Sequence, residues 1–150
     1  MRAVIQRVSR AQVSAGDETV GAIGRGLLVL LGVSANDSEA DAVYLSEKTV
    51  NLRIFEGDDN KTMDRSLLDI HGDLLVVSQF TLYGDTRRGR RPSYIKAARP
   101  DHANSLYEFF VDDIKSRGIN VATGRFQAMM NVELVNDGPV TILLDSERTI

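Results

Sequence analysis

The chain of 150 residues contains no cysteine, no tryptophan and only two histidines, His71 and His102. The lack of cysteine excludes disulfides, thiolate metal sites and a cysteine nucleophile. The histidines lack the spacing of a zinc motif and have no ligand cluster beside them, so we expect no metal. The glycines at 24 and 26 lack the lysine and hydroxyl residue of a phosphate-binding loop. We therefore expect no cofactor.

Long apolar runs are also absent. The longest, residues 27–31, is far too short to cross a bilayer. The first ten residues carry charges at Arg2 and Arg7 and have no apolar core like that of a signal peptide. These patterns predict a cytoplasmic protein with no membrane partner.

No linker, repeat or low-complexity segment interrupts the chain, which predicts a single domain over residues 1–150. Period-two patterns near the start indicate an antiparallel hairpin that leads into a buried core strand at 27–33. Further strands are expected at 52–55, along 74–83, and on both sides of residue 138. The expected fold is α+β: a mostly antiparallel, barrel-like core of about seven strands with two main helices.

The two helices carry recognisable end signals. The first is expected at about 37–52, where Ser38 and Asp41 have the spacing of a capping box. The second is expected at about 101–117, with Pro100 before it and Gly118 in the position that favours a glycine after a helix.

Charge is distributed unevenly. The formal net charge is −3, yet residues 87–99 hold six of the 18 Lys and Arg side chains and no acid. A basic stripe on an acidic protein can bind a polyanion locally, although a solvated loop has the same composition.

The segment LLVVSQFTLYGD, residues 74–85, begins as a buried strand and turns polar at Ser78 without a break. Strand alternation would place Ser78 and Phe80 on one face and Gln79 and Thr81 on the other. The segment is either a strand that tapers off or the floor of a site. A hydroxyl nucleophile needs an adjacent base, and none is visible in the segment.

The segment LVNDGPVTILL, residues 134–144, contains a strong turn signal at Asn136-Asp137-Gly138 followed by Pro139. The plain interpretation is two strands joined by a tight turn. The alternative is functional, because Gly138-Pro139 is one of few bonds here that can adopt the cis form, which would make a rigid protruding wedge.

One conventional mechanism stays open at this point. A Ser-His-Asp triad can be assembled from distant residues, and here it would bring His71 or His102 onto Ser78 or Thr81. Such a triad predicts a small-molecule hydrolase that loses activity when either histidine is replaced.

SQFTLYGDTRRGRRPS together with LVNDGPVT resembles the two signature motifs of the D-aminoacyl-tRNA deacylases. Further segments, among them MRAVIQRVSRAQVS, GRGLLVLLGV and LYEFFV, are similar to family segments and stand in family order. The resemblance extends over nearly the whole chain.

This resemblance implies an enzyme that hydrolyses the ester between a D-amino acid and the terminal adenosine of tRNA, and also glycyl-tRNA formed by mischarging of tRNA(Ala). It implies a homodimer with both active sites at the subunit interface, and proofreading as the role. The implied pocket residues are Ser78, Gln79, Phe80 and Thr81. A cis Gly138-Pro139 of the partner would capture the amino group and exclude an L side chain.

Other positions acquire implied roles from the same resemblance. Arg7 would hold the wedge, Asn136 belongs to the wedge motif, and Phe126 and Met130 would lie near the adenosine. The tRNA would be contacted by four residues of the basic stripe: Arg87, Arg88, Arg90 and Arg91. The resemblance also implies that the 2′-hydroxyl of the tRNA helps to activate water. Positioning by Thr81 ranks above covalent attack by it, because no base lies near Thr81 in the sequence. The alternative is a non-catalytic tRNA-binding module of the same fold.

Overall fold

The computed structural model describes residues 1–150 and contains six strands, three α-helices and one 3₁₀ turn. In chain order these are β1 (Arg2–Ala15), β2 (Glu18–Ile23), β3 (Gly26–Gly32), α1 (Glu39–Asn51), α2 (Leu67–Ile70), β4 (Asp73–Ser78), the 3₁₀ turn (Phe80–Tyr83), α3 (Pro100–Ser116), β5 (Asn120–Thr123) and β6 (Asn131–Asp145).

Strand β1 organises the sheet. It pairs antiparallel with β3 through its first half, with β2 through its second half, and with β6 along its other edge. Strands β3 and β4, and β4 and β5, are parallel pairs. The mostly antiparallel sheet and the N-terminal hairpin are therefore confirmed, while the two parallel pairs were not predicted.

The sheet curls until its ends approach each other. Strand β2 lies so close to β5 that a Cβ on Gly21 would be 2.6 Å from the Thr123 carbonyl oxygen. This close approach nearly closes the sheet into the expected barrel. None of the helices has the length and apolar character needed to cross a bilayer.

Two hydrophobic clusters lie on opposite faces of β3 and β4. Leu27, Val29 and Leu31 point into the larger cluster beneath the helices, whereas Leu28 points into the smaller cluster inside the curled sheet. Strand β4 alternates in the same way. Burial on both faces explains why these strands are continuous apolar runs in the sequence.

Both main helices are confirmed. Ser38 and Asp41 form the capping box of α1, and Gly118 follows α3 with φ of +89°. The inner face of α3, including Phe110 and Ile114, is fully buried in the larger cluster. The four-residue helix α2 was not predicted.

The strand expected along 74–83 is wrong beyond Ser78. Its parallel partner β3 ends at Gly32, and the last hydrogen bond between them runs from Gln79 N to Leu31 O at 2.8 Å. With no ladder left to extend, the chain folds into the 3₁₀ turn, so the alternation predicted for Gln79 to Tyr83 does not apply.

The two strands expected around Gly138 are also wrong, because they form one strand. Both halves of β6 pair with β1 in the same direction, with Val8 opposite Asn136 and Gln6 opposite Thr141. Residues 137–140 bulge out between these pairs instead of reversing the chain. The strand expected at 52–55 makes only the isolated Phe55–Arg65 bridge, and β5 was not expected.

Candidate active site

The polar segment after β4 forms a compact turn at the end of the buried sheet. Gln79 precedes the turn with φ of −141° and ψ of 82°, and its Nε2 donates a hydrogen bond to Thr81 Oγ1. Phe80 is 55% exposed, whereas Tyr83 at the end of the turn is buried. The structure therefore presents Ser78, Gln79, Phe80 and Thr81 at one rim of the protein.

Two backbone donors are left over at the start of this turn. The first hydrogen bond of the turn runs from Leu82 N to Gln79 O at 3.3 Å. Since a 3₁₀ turn pairs each N–H with the carbonyl three residues earlier, the N–H groups of Phe80 and Thr81 have no partner within it. Together with the side-chain amide of Gln79, they supply donors of the kind that stabilise an oxyanion.

Arg2 supports the turn, a role that no sequence pattern indicated. Its Nη1 donates to the Leu82 carbonyl at 3.1 Å, and its guanidinium lies 4.7 Å from the centre of the Tyr83 ring. Its Nε is 3.4 Å from the Asp145 carboxylate. In the sequence Arg2 is recognisable only as a charged residue near the start of the chain, because its partners are more than 75 residues away.

The bulge of β6 exposes Asp137, Gly138 and Pro139 at the protein surface. The Gly138-Pro139 peptide bond is cis, as the resemblance implied. Arg7 is buried beneath the bulge and donates from Nε to the Asp137 carbonyl at 2.8 Å and from Nη1 to the Ile54 carbonyl at 2.6 Å. The structure thus places Arg7 where it fixes the backbone immediately before Gly138.

Asn136 closes the bulge from the other side. Its Oδ1 accepts a hydrogen bond from Val140 N at 2.8 Å, and its Nδ2 donates to Val140 O at 3.3 Å and to Thr141 Oγ1 at 3.2 Å. The Asn136 side chain thus joins the two ends of the bulge by hydrogen bonds, and we call this contact the Asn136 clip. Asn136 therefore shapes the exposed Gly138-Pro139 segment through the backbone.

Phe126 and Met130 lie on the connection between β5 and β6. This connection passes beside the end of β4, because Gly124 N donates to Val76 O at 3.2 Å. Phe126 packs against Tyr107, with ring centres 6.2 Å apart, and lines a cavity of about 360 Å³ against α3. Burial raises the pKa of Tyr107 to about 12, and its hydroxyl donates to the Val76 carbonyl.

The two signature motifs are not brought together within one chain. Arg7 and the bulge lie beside Leu27 of β3, whereas Ser78 pairs with Leu31. Four residues of a parallel strand span roughly 13 Å. The cis-proline bulge and the polar turn therefore occupy different positions along β3.

The basic residues lie on a loop whose base is closed by two hydrogen bonds. Asp85 and Ser93 exchange backbone bonds of 2.8 and 2.9 Å. Inside the loop, Arg87 donates to both carboxylate oxygens of Asp85, which holds the pKa of that carboxyl well below its usual range. Arg88, Arg90 and Arg91 are exposed and take part in none of the ion pairs of the chain.

Neither histidine is bonded to a pocket residue. His71 ends α2 with a left-handed φ of 51°, and His102 Nε2 lies 2.8 Å from the Asp37 carbonyl oxygen. No group of three or more acidic or histidine side chains is arranged to hold a metal ion.

Comparison with known proteins decides the family. The model of the family described as D-Tyr-tRNA(Tyr) deacylase matches residues 4–145. The chain belongs to the D-aminoacyl-tRNA deacylase family. A protein of Roseiflexus sp. (strain RS-1) with the name D-aminoacyl-tRNA deacylase is 64% identical over 146 residues, which cover 97% of this chain and 94% of the relative. A protein of Koribacter versatilis with the same name is 60% identical over 148 residues, covering 99% of both chains.

Solved structures agree on the fold of the family. The structure of a protein named c-Myc DNA Unwinding Element Binding Protein matches with a TM-score of 0.92 at 39% identity, covering 97% of this chain and 98% of that one. A probable eukaryotic D-amino acid tRNA deacylase matches with a TM-score of 0.84 at 17% identity, covering 95% and 97%. The resemblance of the two motifs to this family is confirmed.

Proposed function

We propose that this protein hydrolyses the ester bond of D-aminoacyl-tRNA in the cytoplasm, as a homodimer with an active site at each end of the subunit interface. One observation carries the proposal. The polar turn and the cis-proline bulge, which we propose as the two halves of the site, lie at positions that do not meet within one copy.

A second copy of the chain supplies what one copy lacks. Strand β6 pairs only with β1, so its other edge is unpaired, and Val135 and Leu143 on this strand are 40% and 55% exposed. An unpaired strand edge with exposed apolar side chains favours association. Two-fold symmetry would then place each bulge against the polar turn of the other copy and make two equal sites.

The chemistry proposed at this site needs no strong nucleophile from the protein. Water attacks the ester carbonyl carbon, and the oxyanion that forms accepts hydrogen bonds from Phe80 N, Thr81 N and the Gln79 amide. The intermediate then collapses, and the ribose oxygen leaves with a proton, giving free tRNA and the amino acid. The neighbouring ribose hydroxyl of the tRNA assists the water.

Covalent attack by Thr81 ranks lower. Its Oγ1 accepts a hydrogen bond from the Gln79 side chain, and no basic side chain is bonded to it. A hydroxyl without an adjacent base is a weak nucleophile. Positioning of water and carbonyl carbon is the role that this geometry supports.

Selectivity for the D configuration is assigned to backbone groups. The carbonyls of Gly138 and Pro139 from the partner would accept hydrogen bonds from the amino group of the substrate. With the amino group and the ester both fixed, an L side chain would be directed into the bulge. The buried Arg7 and the clip formed by Asn136 keep the bulge in place.

The test is a multiple-turnover assay with a large excess of D-Tyr-tRNA over protein. Repeated release of D-tyrosine is the expected result. Binding of the tRNA with no more than one release per site would instead support a non-catalytic tRNA-binding module. Loss of turnover in His71→Ala or His102→Ala would indicate a histidine-based hydrolase.

Glycyl esters should also be substrates. Glycine has no side chain, so a backbone wedge has nothing to exclude, and we expect hydrolysis of glycine mischarged onto tRNA(Ala). Release of labelled glycine measures this directly. A complete lack of release at every enzyme concentration would contradict selectivity by backbone exclusion.

The double variant Arg88→Ala, Arg90→Ala should bind tRNA more weakly and show a flatter dependence of affinity on salt. Each phosphate contact that is lost reduces the slope of log K against log salt by about 0.7 to 0.9. Arg87→Ala is the matched comparison, and we expect a smaller change because Arg87 is already paired with Asp85. An unchanged slope in the double variant would contradict the proposed contacts.

A DNA-binding function is the second candidate. It is favoured by the loop that carries Arg87, Arg88, Arg90 and Arg91, which we call the basic loop. It is also favoured by the name of the structurally similar protein at 39% identity, which describes that protein as binding a DNA unwinding element. Phosphate contacts alone do not distinguish DNA from RNA. A competition assay distinguishes them: duplex DNA should displace D-Tyr-tRNA only poorly, and equal displacement at equal salt would favour the second candidate.

A further inference from the structure

Three exposed apolar side chains lie where the polar turn meets the end of the loop that carries the arginines. Phe80 is 55% exposed, Tyr94 is 39% exposed and Ile95 is 89% exposed. The rings of Phe80 and Tyr94 meet edge to face, with centres 5.0 Å apart. Ile95 follows Tyr94 directly in the chain. We call these three residues the aromatic step.

We propose that the aromatic step binds an unpaired base of the tRNA 3′ end, immediately before the terminal adenosine. The proposal rests on the proposed function, because that function places the terminal ester beside Thr81. The next nucleotides of the single-stranded end must then leave the pocket across its rim.

The step is held rigidly, although it belongs to a connection between β4 and α3. On one side, the backbone bonds between Asp85 and Ser93 fix the residue before Tyr94. On the other side, Ala35 N donates to Lys96 O and Ala98 N donates to Val33 O at 3.0 and 2.9 Å. Backbone hydrogen bonds on both sides therefore fix the positions of Tyr94 and Ile95.

The Tyr94 ring also rests against backbone. A Cβ on Gly84 would lie 3.1 Å from Tyr94 Cε1 and 3.1 Å from the Thr81 carbonyl oxygen. The glycine thus lets the ring lie close beside the polar turn. A ring that is ordered before binding loses little conformational entropy when a base stacks on it.

Charge favours a nucleic acid as the occupant. No acidic residue occurs from 86 to 100, and Arg88, Arg90 and Arg91 are exposed on the loop that ends at the step. Proteins that bind single strands combine basic side chains along the backbone with aromatic rings under the bases. A protein partner would not require exposed rings directly beside a run of exposed cations.

The test compares two substrates. D-Tyr-tRNA contains the unpaired bases, whereas a D-tyrosyl ester of adenosine ends at the terminal nucleoside. For Tyr94→Leu we expect the ratio of kcat/KM for the tRNA to kcat/KM for the adenosine ester to fall by about 10-fold, since one stacked base contributes roughly 5- to 150-fold in affinity. Tyr94→Phe keeps a ring and should keep the ratio. Tyr44→Leu, at a half-buried tyrosine of α1, is the control for loss of a ring away from the step.

A binding measurement separates this proposal from the proposed function. A tRNA acceptor-stem hairpin with 2-aminopurine in place of either of the last two cytidines should lose fluorescence on binding the wild-type protein, and less on binding Tyr94→Leu. This signal does not require turnover. If wild-type protein quenches the probe but releases no D-tyrosine, the proposed function fails and the aromatic step stands.

Three results would overturn the aromatic step. The first is an equal loss for both substrates in Tyr94→Leu, which would mean that the ring shapes the ester pocket. The second is equal quenching by wild type and variant. The third is a shift of Tyr94→Leu from dimer to monomer in sedimentation, which would mean that a second copy covers these side chains.

Discussion

Replacing Gly138 with alanine is expected to lower kcat/KM for D-Tyr-tRNA at least about 100-fold. Gly138 has φ of +141°, a region that only glycine adopts at little cost. An added Cβ would lie 2.8 Å from Val140 Cγ2 and 3.1 Å from Arg7 Nη2. The bulge must therefore shift, and a displacement of about 1 Å at a catalytic site is sufficient for a loss of this size.

Gly16→Ala is the matched control for this variant. Gly16 also has a positive φ, +59°, but a Cβ there would have nothing within 4 Å. We expect a cost in stability of about 1–2 kcal/mol and unchanged kcat/KM. If Gly138→Ala keeps both its rate and its preference for D substrates, the bulge is not the selective element.

Replacing Arg7 with alanine is expected to reduce the ratio of D to L hydrolysis by about 10- to 100-fold. The buried guanidinium holds the carbonyls of Asp137 and Ile54, and hydrogen bonds from a charged donor contribute about 1.5–3 kcal/mol. Without them the bulge is free to move aside for an L side chain. Parallel assays with D-Tyr-tRNA and L-Tyr-tRNA, together with urea unfolding, measure both effects.

Arg7→Lys sharpens the test, because lysine keeps the charge but lacks the planar group that reaches two carbonyls at once. We expect it to restore stability more fully than selectivity. Arg10→Ala, at an exposed position of the same strand, should change neither. An unchanged ratio of D to L hydrolysis in a folded Arg7→Ala protein would show that Arg7 does not contribute to selectivity.

Local signals in the sequence predicted much of the fold. The apolar runs of β3 and β4 are buried on both faces, and Pro100 and Gly118 mark the ends of α3 where helix chemistry requires them. These features depend on neighbours within a few residues. The resemblance of two motifs then identified the family, which composition and periodicity did not.

The predictions of the fold that were wrong depend on pairing partners far away in the sequence. The end of β4 depends on where β3 ends, and the continuity of β6 depends on pairing with β1, more than 120 residues earlier. A strong turn signal at Asn136-Asp137-Gly138 produced a bulge because both flanking segments find the same partner strand. No pattern within the segment records that partner.

Side-chain pairing within the candidate site was equally hidden. In the sequence Arg87, Arg88 and Arg90 are equivalent positive charges, whereas in the structure Arg87 forms an ion pair with Asp85. Arg2 supports the polar turn through partners at Leu82 and Asp145. The position of Arg7 was implied by the family motif, but its second bond, to Ile54, was visible only in the fold.

The most direct test of the central claim is hydrolysis of D-Tyr-tRNA and L-Tyr-tRNA in parallel, with EDTA present. We expect release of D-tyrosine over many turnovers, little release of L-tyrosine, and no effect of the chelator. Equal hydrolysis of the two substrates, or loss of activity with EDTA that added metal restores, would contradict it.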